Sequence, residues 1–417
     1  MKRVVLLGNT GNGIFHQMVH HFLNNNTQVI VIDGTFNYSH DNLVQISAKD
    51  YLRAMDRVLL MVVPNIISQL DTVFTILYLC LSFQFKRLKE FRSLPSLKQP
   101  IANMLTYSRV LNHVRFDYAL CLNVYFFGLP ALLSKSRKFI AQPWGGDVNR
   151  YGISSPLRFL FMTQCLKSMD YIAPAGRSVI PFMIEKYKID KSKFVFLPPT
   201  VDKNLFQIIP DAERVKRRKE MKISSNAVVF FSCRRFSEGW GPHIVKELFI
   251  KLSHEIPNSF FIVLSGYDSN DLIDQFKSEL PDSRKDQFLF LDKVIPLEEF
   301  SFYSQIADFT VSAMTNRDMQ SSSIMQSVAC GAYPMLLEQL EYKIMVNEGF
   351  SSIMFNEIDD NLIQEVKGLI QEPNVFHDKK SLNKDYFIKR ETNKDYVTIL
   401  NSLQFNTLVF LIVQSFY

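Results

Sequence analysis

Short apolar runs alternate with amphipathic stretches along most of the chain, beginning within its first forty residues. Residues 4–7 form an apolar run, residues 14–23 follow a glycine-containing turn with helical spacing, and residues 28–33 form a second apolar run. A strand, a helix and a strand in this order make a βαβ unit, which requires a parallel sheet covered by helices. The pattern therefore predicts an α/β fold.

The same alternation restarts after residue 198 and predicts a second α/β domain. Further strands in the first half are expected at residues 57–63, 118–122 and 138–142. In the second half, strands are expected at residues 227–233, 259–265, 287–291, 308–313 and 333–337, with helices at residues 243–252, 270–280, 297–306 and 322–330. Pro198, Pro199 and the basic residues 214–222 mark the join between the halves.

These elements predict two Rossmann-like, doubly wound domains facing a cleft, with ligands bound at the carboxyl ends of the strands. The length of 417 residues fits this, because domains average about 100–200 residues. We assign residues 1–197 to the first domain and residues 198–390 to the second. Residues 391–417 are expected to form a helical segment that packs back on the first domain.

Composition excludes several classes of protein. A hydrophobic fraction of 47% and a charged fraction of 21% exclude wholesale disorder, and a net charge of +6 is too small to indicate nucleic-acid binding. The five cysteines are scattered without a CxxC pair or a His/Cys cluster, so we expect a reducing, cytoplasmic compartment and no structural zinc. No signal peptide and no apolar run of roughly 20 residues is visible, so we expect no membrane span.

The stretch between Asn65 and Arg92 leaves two interpretations open. Apolar residues recur there at steps of three and four, and a basic, aromatic segment from Lys86 onward follows. One interpretation is a core helix followed by a solvated run of charges. The other is reversible attachment to an anionic membrane surface, to which each Lys or Arg contributes about 1 kcal/mol.

Residues 312–334 carry the densest set of candidate chemistry. A predicted strand ends there, a polar loop follows, and a serine-capped helix stops at Gly331. The loop and helix contain Asp318, Ser321, Ser322, Ser323 and Gln326. Free N–H groups at a helix start attract phosphate, although the same serines would also cap a helix that binds nothing.

This arrangement resembles the donor-site signature of GT-B glycosyltransferases, specifically of glycosyltransferase family 4. In that family two acidic residues precede an Ala-Met-Ala-Cys-Gly-like turn. Asp318 falls on the first acidic position and Gln326 on the second, where an amide therefore replaces a carboxylate. The resemblance implies that Asp318 orients the donor sugar, that Gln326 holds the ribose, and that the N–H groups near the three serines bind phosphate.

A second match follows the strand predicted at residues 227–233. The family places an Arg there and a Lys five residues later, which together bind the diphosphate of the donor. Arg235 falls on the Arg, whereas Trp240 stands in place of the Lys. One positive charge is therefore missing, and Arg234 is the candidate to replace it. The alternative is a pair of exposed arginines at the end of a strand.

Two further segments extend the resemblance. Residues 142–148 resemble a Trp-Gly-Ser-Asp element of the family, which implies that Asp147 orients or polarises the acceptor hydroxyl; alternatively, Asp147 only caps its own turn. Residues 198–206 resemble the hinge segment of the family. The glycine-containing loop at residues 8–13 does not fit the GxGxxG pattern of nicotinamide sites. By resemblance, Gly11 and Gly13 face the donor.

The resemblance implies a glycosyltransferase that moves a sugar from a nucleotide-sugar to a glycan or lipid-linked acceptor, with retention, in polysaccharide or glycoconjugate biosynthesis. The candidate catalytic residues are Asp147, Arg235 and Asp318. The sequence contains no Asp-x-Asp, so we expect neither a metal nor another cofactor. Two alternatives remain open: a GT-B sugar-nucleotide epimerase, and a catalytically weakened nucleotide-sugar-binding protein.

Overall fold

The computed structural model of the chain describes residues 3–7, 23, 28–32, 41, 43–46, 111, 116–122, 124, 139–154, 156–197, 201–237, 239–265, 270–291, 295–315 and 321–392. The chain divides into two compact units. The first comprises Met1–Ala175, Val179–Leu197 and Val397–Tyr417, and the second comprises Gly176–Ser178 and Pro198–Tyr396. The strand predicted at residues 57–63 and nearly all of the segment 391–417 lie outside the described residues.

The first unit is built on a six-stranded parallel sheet. Its strands are β1 (Arg3–Leu7), β2 (Gln28–Ile32), β3 (Leu43–Ile46), β4 (Tyr118–Leu122), β5 (Phe139–Gln142) and β6 (Tyr171–Ile172). They lie in the order β3-β2-β1-β4-β5-β6. A π-helical turn (Gly146–Tyr151) follows β5, and the described helices are α1 (Pro156–Ser168) and α2 (Ile180–Tyr187). Both faces of β4 and β5 are buried, as expected of central parallel strands.

The second unit repeats this topology with a second parallel sheet. Its strands are β7 (Val228–Ser232), β8 (Ser259–Leu264), β9 (Phe288–Leu291), β10 (Phe309–Ser312), β11 (Tyr333–Leu337) and β12 (Ile353–Phe355), in the order β12-β11-β10-β7-β8-β9. The described helices are α3 (Asp211–Glu220), α4 (Pro242–Glu255), α5 (Asn270–Glu279), α6 (Leu297–Ile306), α7 (Ser322–Ala329), α8 (Leu340–Asn347), α9 (Asp360–Gln371) and α10 (Pro373–Thr392).

A row of phenylalanines crosses the second sheet in register. Phe309 of β10 pairs with Phe230 of β7, which pairs with Phe261 of β8, which pairs with Phe288 of β9. The ring centroids of successive neighbours lie 5.0, 5.3 and 4.7 Å apart, and each pair is stacked. Phe376 of α10 stacks on Phe309 at 4.9 Å and extends the row onto a helix. The 36 phenylalanines of the chain therefore include a continuous aromatic layer in this core.

The predicted α/β class is confirmed, and within the described residues the predicted strands agree with the observed ones to within about one residue at each end. Three short strands were missed. β3 has four residues, β6 has two and β12 has three. Such short runs carry too few apolar positions to stand out from the flanking segments. Their neighbours in the sheet define them instead.

The basic residues 214–222 mostly belong to a helix rather than to an open linker. Prediction treated them as part of the join between the domains, whereas Asp211–Glu220 is helical. Arg214 and Arg218 point from this helix to Asp308, which directly precedes β10. Their Nη2 atoms lie 2.6 and 2.8 Å from its two carboxylate oxygens. The helix is thus anchored at the amino edge of the second sheet, which is the side where its strands begin.

Asp308 also holds that edge together. Its Oδ2 accepts a hydrogen bond from the backbone N–H of Val229 in β7 at 2.8 Å, and Arg218 donates further bonds to the carbonyl of Ile306. Burial alone would raise the pKa of the Asp308 carboxyl, but the charges of Arg214 and Arg218 outweigh it and lower the pKa below its ordinary value. The carboxylate is therefore ionised and fully bonded.

Replacing Asp308 by Asn is expected to lower the free energy of unfolding by about 3 kcal/mol, because two guanidinium groups then lose their counter-charge in a largely buried setting. Since the folded-state pKa is lowered, this stabilisation is present above the ordinary pKa of Asp and is lost as the pH falls below it. Denaturant unfolding at pH 7 and at acidic pH measures both effects. The control is Glu213→Gln, which breaks a more exposed ion pair of the same helix with Arg217. Equal, small effects of both variants would contradict the anchoring role.

Candidate functional site

The strand order of the second sheet creates a crevice at the carboxyl ends of β7 and β10. These two strands lie side by side, but the chain leaves β7 for β8 on one side and leaves β10 for β11 on the other. The connections therefore diverge, and such a point in an α/β sheet is where ligands are expected to bind. Arg234 and Arg235 follow β7 at this point, and Met314 follows β10.

Gly241 allows the loop after β7 to approach the end of β10 closely. Its φ of +65° is a left-handed conformation that glycine adopts without strain. A Cβ atom built on Gly241 would lie only 2.0 Å from the carbonyl oxygen of Ala313. The loop containing Arg234, Arg235 and Trp240 is therefore pressed against β10, and α4 begins directly after Gly241.

Arg234 lies at the centre of the crevice. Its guanidinium carbon is 4.3 Å from the centre of the Trp240 ring, and its Nη1 is 3.4 Å from Oγ of Ser323 at the start of α7. Its Nη2 lies 3.6 Å from the sulfur of Met314, and its buried Nε has no hydrogen-bond partner among the described residues. The side chain thus connects the ends of both strands with the first turn of a helix.

The charge of Arg234 is costly where it lies. Burial lowers the pKa of the guanidinium, because a desolvated cation is less favourable than a hydrated one. No carboxylate among the described residues pairs with Arg234 or with the exposed Arg235, whose guanidinium carbon is 5.6 Å from the same ring. An anion bound in the crevice would supply the missing counter-charge.

The N-terminus of α7 adds to the positive potential. Ser321 caps the helix, and its Oγ accepts a hydrogen bond from the N–H of Ile324 at 3.3 Å. Free N–H groups remain in the first turn, where the helix dipole favours an anion. Arg234 meets this turn at Ser323, so a cation and the positive end of a helix converge. Such a site suits a group with several negative oxygens, such as a phosphate or diphosphate.

The structure brings several of the predicted residues together. Arg234 contacts both the Trp240 ring and Ser323, and Arg235 lies beside the Trp240 ring. Ser321 and Ser322 are buried at the start of α7, and Gln326 lies one turn further along, with 4% of its surface exposed. Asp318, Gly11 and Gly13 lie outside the described residues, as does the stretch between Asn65 and Arg92.

Asp147 lies in the first unit, and backbone groups surround it. Its two carboxylate oxygens accept hydrogen bonds from the N–H groups of Val124 at 3.0 Å and Trp144 at 2.8 Å. Only 3% of its surface is exposed, and burial raises the pKa of the carboxyl to about 6. These bonds match the interpretation in which Asp147 caps its own turn and also ties that turn to the end of β4. A role toward an acceptor stays a prediction.

Sequence reasoning missed the contribution of the segment after β11. Gln339 donates a hydrogen bond from Nε2 to the carbonyl of Met314 and so braces the end of β10. Glu341 of α8 is fully buried. Its Oε2 accepts a hydrogen bond at 2.9 Å from the N–H of Ser178, which belongs to the same unit. Its Oε1 has no partner among the described residues. Their position just after a third parallel strand is the signal that would have located them.

The described part of the chain contains no group of three His, Cys, Asp or Glu side chains arranged to hold a metal ion. It also contains no helix long and apolar enough to cross a lipid bilayer.

The two Rossmann-like units define the fold class of the GT-B glycosyltransferases. Among similar solved structures is HepE of Anabaena in complex with UDP and glucose, at 12% identity and a TM-score of 0.63, covering 96% of this chain and 98% of that one. Sucrose-phosphate synthase of Thermosynechococcus elongatus has 12% identity and a TM-score of 0.64, covering 100% and 99%. WaaG, a glycosyltransferase involved in lipopolysaccharide biosynthesis, has 11% identity and a TM-score of 0.59, covering 95% and 96%.

At these identities the likeness shows the fold alone. No family model matches the chain, and no curated protein matches it in sequence. The more specific resemblance to glycosyltransferase family 4 therefore stays a prediction.

Replacing Gly241 by Ala is expected to destabilise the second unit by at least about 2 kcal/mol, because the new methyl group combines an unfavourable φ with a collision against the Ala313 carbonyl. Thermal or denaturant unfolding measures the loss. Gly368→Ala is the matched control, since a Cβ there meets no atom within 4 Å and the residue lies within helix α9. That control is expected to be about 1 kcal/mol more stable than the wild type. A Gly241 variant as stable as the wild type would refute the close approach.

Proposed function

We propose that the protein is a glycosyltransferase that transfers a sugar from a nucleotide-sugar donor to a glycan or lipid-linked acceptor. The observation that carries the proposal is the half-buried charge of Arg234 beside the N-terminus of α7, with which no carboxylate of the described residues pairs. The diphosphate of a nucleotide-sugar would supply the negative charge and the oxygen atoms that the described residues do not offer to Arg234 and Arg235. The GT-B fold and the UDP and glucose bound by HepE support the same class of ligand.

The chemistry proposed for the crevice is stabilisation of the leaving group. When the bond between the anomeric carbon and the diphosphate oxygen breaks, negative charge grows on the diphosphate and the sugar becomes oxocarbenium-like. The guanidinium groups of Arg234 and Arg235 and the N–H groups at the start of α7 would stabilise that charge where it forms. The acceptor oxygen then bonds to the anomeric carbon, and its proton passes to the departing phosphate. We propose retention of configuration and no enzyme nucleophile.

Further roles follow from the resemblance described above. Asp318 would hydrogen-bond sugar hydroxyls and fix the orientation of the donor, and Gln326 would hold the ribose. The loop with Gly11 and Gly13 would face the donor. Asp147 would orient or polarise the acceptor hydroxyl. We also propose that the activity serves polysaccharide or glycoconjugate biosynthesis, and that the stretch between Asn65 and Arg92 attaches the protein reversibly to an anionic membrane surface.

Replacing Arg235 by Ala is expected to reduce sugar transfer at least about a hundredfold, as the loss of one electrostatic donor typically does. Arg235→Lys should restore only part of the activity, because an ammonium group lacks the two-pronged geometry of a guanidinium. A thermal-shift screen with UDP-, GDP-, CMP- and TDP-sugars first identifies the donor. Transfer to an acceptor, or donor hydrolysis, is then measured.

Arg284→Ala provides the control for that measurement. Arg284 belongs to the same unit but lies in the turn before β9, at the opposite edge of the sheet. Its loss should leave turnover unchanged. Near-normal turnover in the Arg235→Ala variant would overturn the assignment of the crevice, whereas donor binding without any turnover in the wild type would favour the weakened binding protein.

The proposed transferase is expected to stay active when divalent metals are removed, because arginines and helix N–H groups neutralise the phosphate charge. Activity is measured after treatment with EDTA and again after adding Mg²⁺ or Mn²⁺. The expected ratio of the two rates is close to one. A strict requirement for either ion would contradict the proposed way of binding the diphosphate.

A further inference from the structure

Trp240 is held in one place by its backbone. Its backbone N–H donates a hydrogen bond to the carbonyl of Ser237 at 3.1 Å, and the next residue, Gly241, lies against Ala313. On its other side, the hydroxyl of Thr315 donates to the carbonyl of Gly239 at 3.3 Å. The backbone that carries the indole is therefore held against the ends of both β7 and β10.

The ring lies within contact range of two cations. The guanidinium carbon of Arg234 is 4.3 Å from the ring centre, and that of Arg235 is 5.6 Å from it. Two neighbouring guanidinium groups repel each other, and among the described residues no carboxylate offsets this. The negative face of an indole attracts cations within about 6 Å, most strongly where they are desolvated, as Arg234 is. The ring thus supplies the attraction that an acidic side chain would otherwise supply.

An aromatic partner and an acidic partner have different consequences for a ligand. A carboxylate would accept hydrogen bonds from the in-plane N–H groups of a guanidinium and occupy them. An aromatic ring contacts the flat face of the group and leaves its N–H edges free. Among the described residues the buried Nε of Arg234 has no acceptor, and its Nη1 makes only a 3.4 Å contact with Ser323. Its Nη2 lies 3.6 Å from the sulfur of Met314, so none of the contacts described for this N–H edge is with a carboxylate.

We propose that Trp240 is a positioning residue for diphosphate binding. Its ring orients the guanidinium groups of Arg234 and Arg235 and keeps their N–H edges open to the diphosphate of the donor. This inference rests on the proposed function, since it assigns the means by which that site holds its two cations. The side chain itself need not touch the ligand.

The test compares Trp240→Leu with Trp240→Phe. Of UDP, GDP, ADP and TDP, the diphosphate that binds wild type best is titrated by calorimetry, together with its monophosphate and its nucleoside. The leucine variant, which lacks a π face, is expected to bind the diphosphate about tenfold more weakly, equivalent to the loss of roughly 1.4 kcal/mol of cation–π attraction. The phenylalanine variant should lose less. The loss should shrink for the monophosphate and vanish for the nucleoside, a graded pattern that a purely structural role would not produce.

Phe302→Leu is the matched control. Its ring contacts the guanidinium of Arg217 at 5.4 Å, in the same unit but at the amino edge of the sheet. This variant should bind the diphosphate with wild-type affinity. The unfolding temperature of each ligand-free variant shows whether the fold is retained.

A second measurement leaves Trp240 unchanged. The chain contains two tryptophans, so Trp144→Phe makes Trp240 the sole indole reporter. Titration of this variant with inorganic pyrophosphate should give a saturable change in fluorescence as the two guanidinium groups bind the anion. The absence of any change at saturating diphosphate would overturn the proposal.

The results of these binding measurements distinguish the role of Trp240 from the proposed function. Equal diphosphate affinity of wild type and the leucine variant, or an equal loss for diphosphate, monophosphate and nucleoside, would overturn the role of Trp240 while the proposed function stands. A wild-type protein that binds none of the four diphosphates and no pyrophosphate would overturn both.

Discussion

Strand β7 lies directly beside β10 in the second sheet, and the candidate site depends on this pairing. The two strands feed connections that run to opposite sides of their shared carboxyl ends. Gly241 brings the loop after β7 against the last residues of β10, at a distance that excludes any side chain. From the same loop Arg234 reaches the first turn of α7 at Ser323. The pairing of β7 with β10, the glycine at position 241 and the N-terminus of α7 together form the candidate site.

The arginines at the amino ends and at the carboxyl ends of the strands of the second sheet have different partners. At the amino edge, Arg214 and Arg218 share the carboxylate of Asp308, and the arginines anchor a helix. At the carboxyl edge, Arg234 and Arg235 have an aromatic ring in place of a carboxylate among the described residues. A structural arginine is paired within the fold, whereas a ligand-binding arginine leaves its donors open. This contrast within one unit supports a binding role for the carboxyl edge.

Asp147 shows the limit of reasoning from motifs. Its place after a strand and two glycines suggested either a carboxylate that acts on the acceptor or a cap of its own turn, and both of its oxygens accept backbone hydrogen bonds. The position of a residue in the sequence indicates which strand or turn carries its side chain. It does not indicate which backbone groups the fold brings within hydrogen-bond distance of that side chain. Val124, which binds one oxygen, is 23 residues away in the sequence. No local pattern could have predicted that partner.

The sequence by itself determined the α/β class, the positions of most strands and the arginines that follow β7, because each depends on local periodicity or on residue type at a strand end. The phenylalanines were visible as a composition, but only strand register placed four of them in one stacked row. The tertiary structure also decided which arginines are paired and which are open. Asp308 and the arginines that bind it are 94 and 90 residues apart, and the contact of Arg234 with Ser323 spans 89. Such contacts arise from the order of strands in a sheet, which local spacing along the chain does not encode.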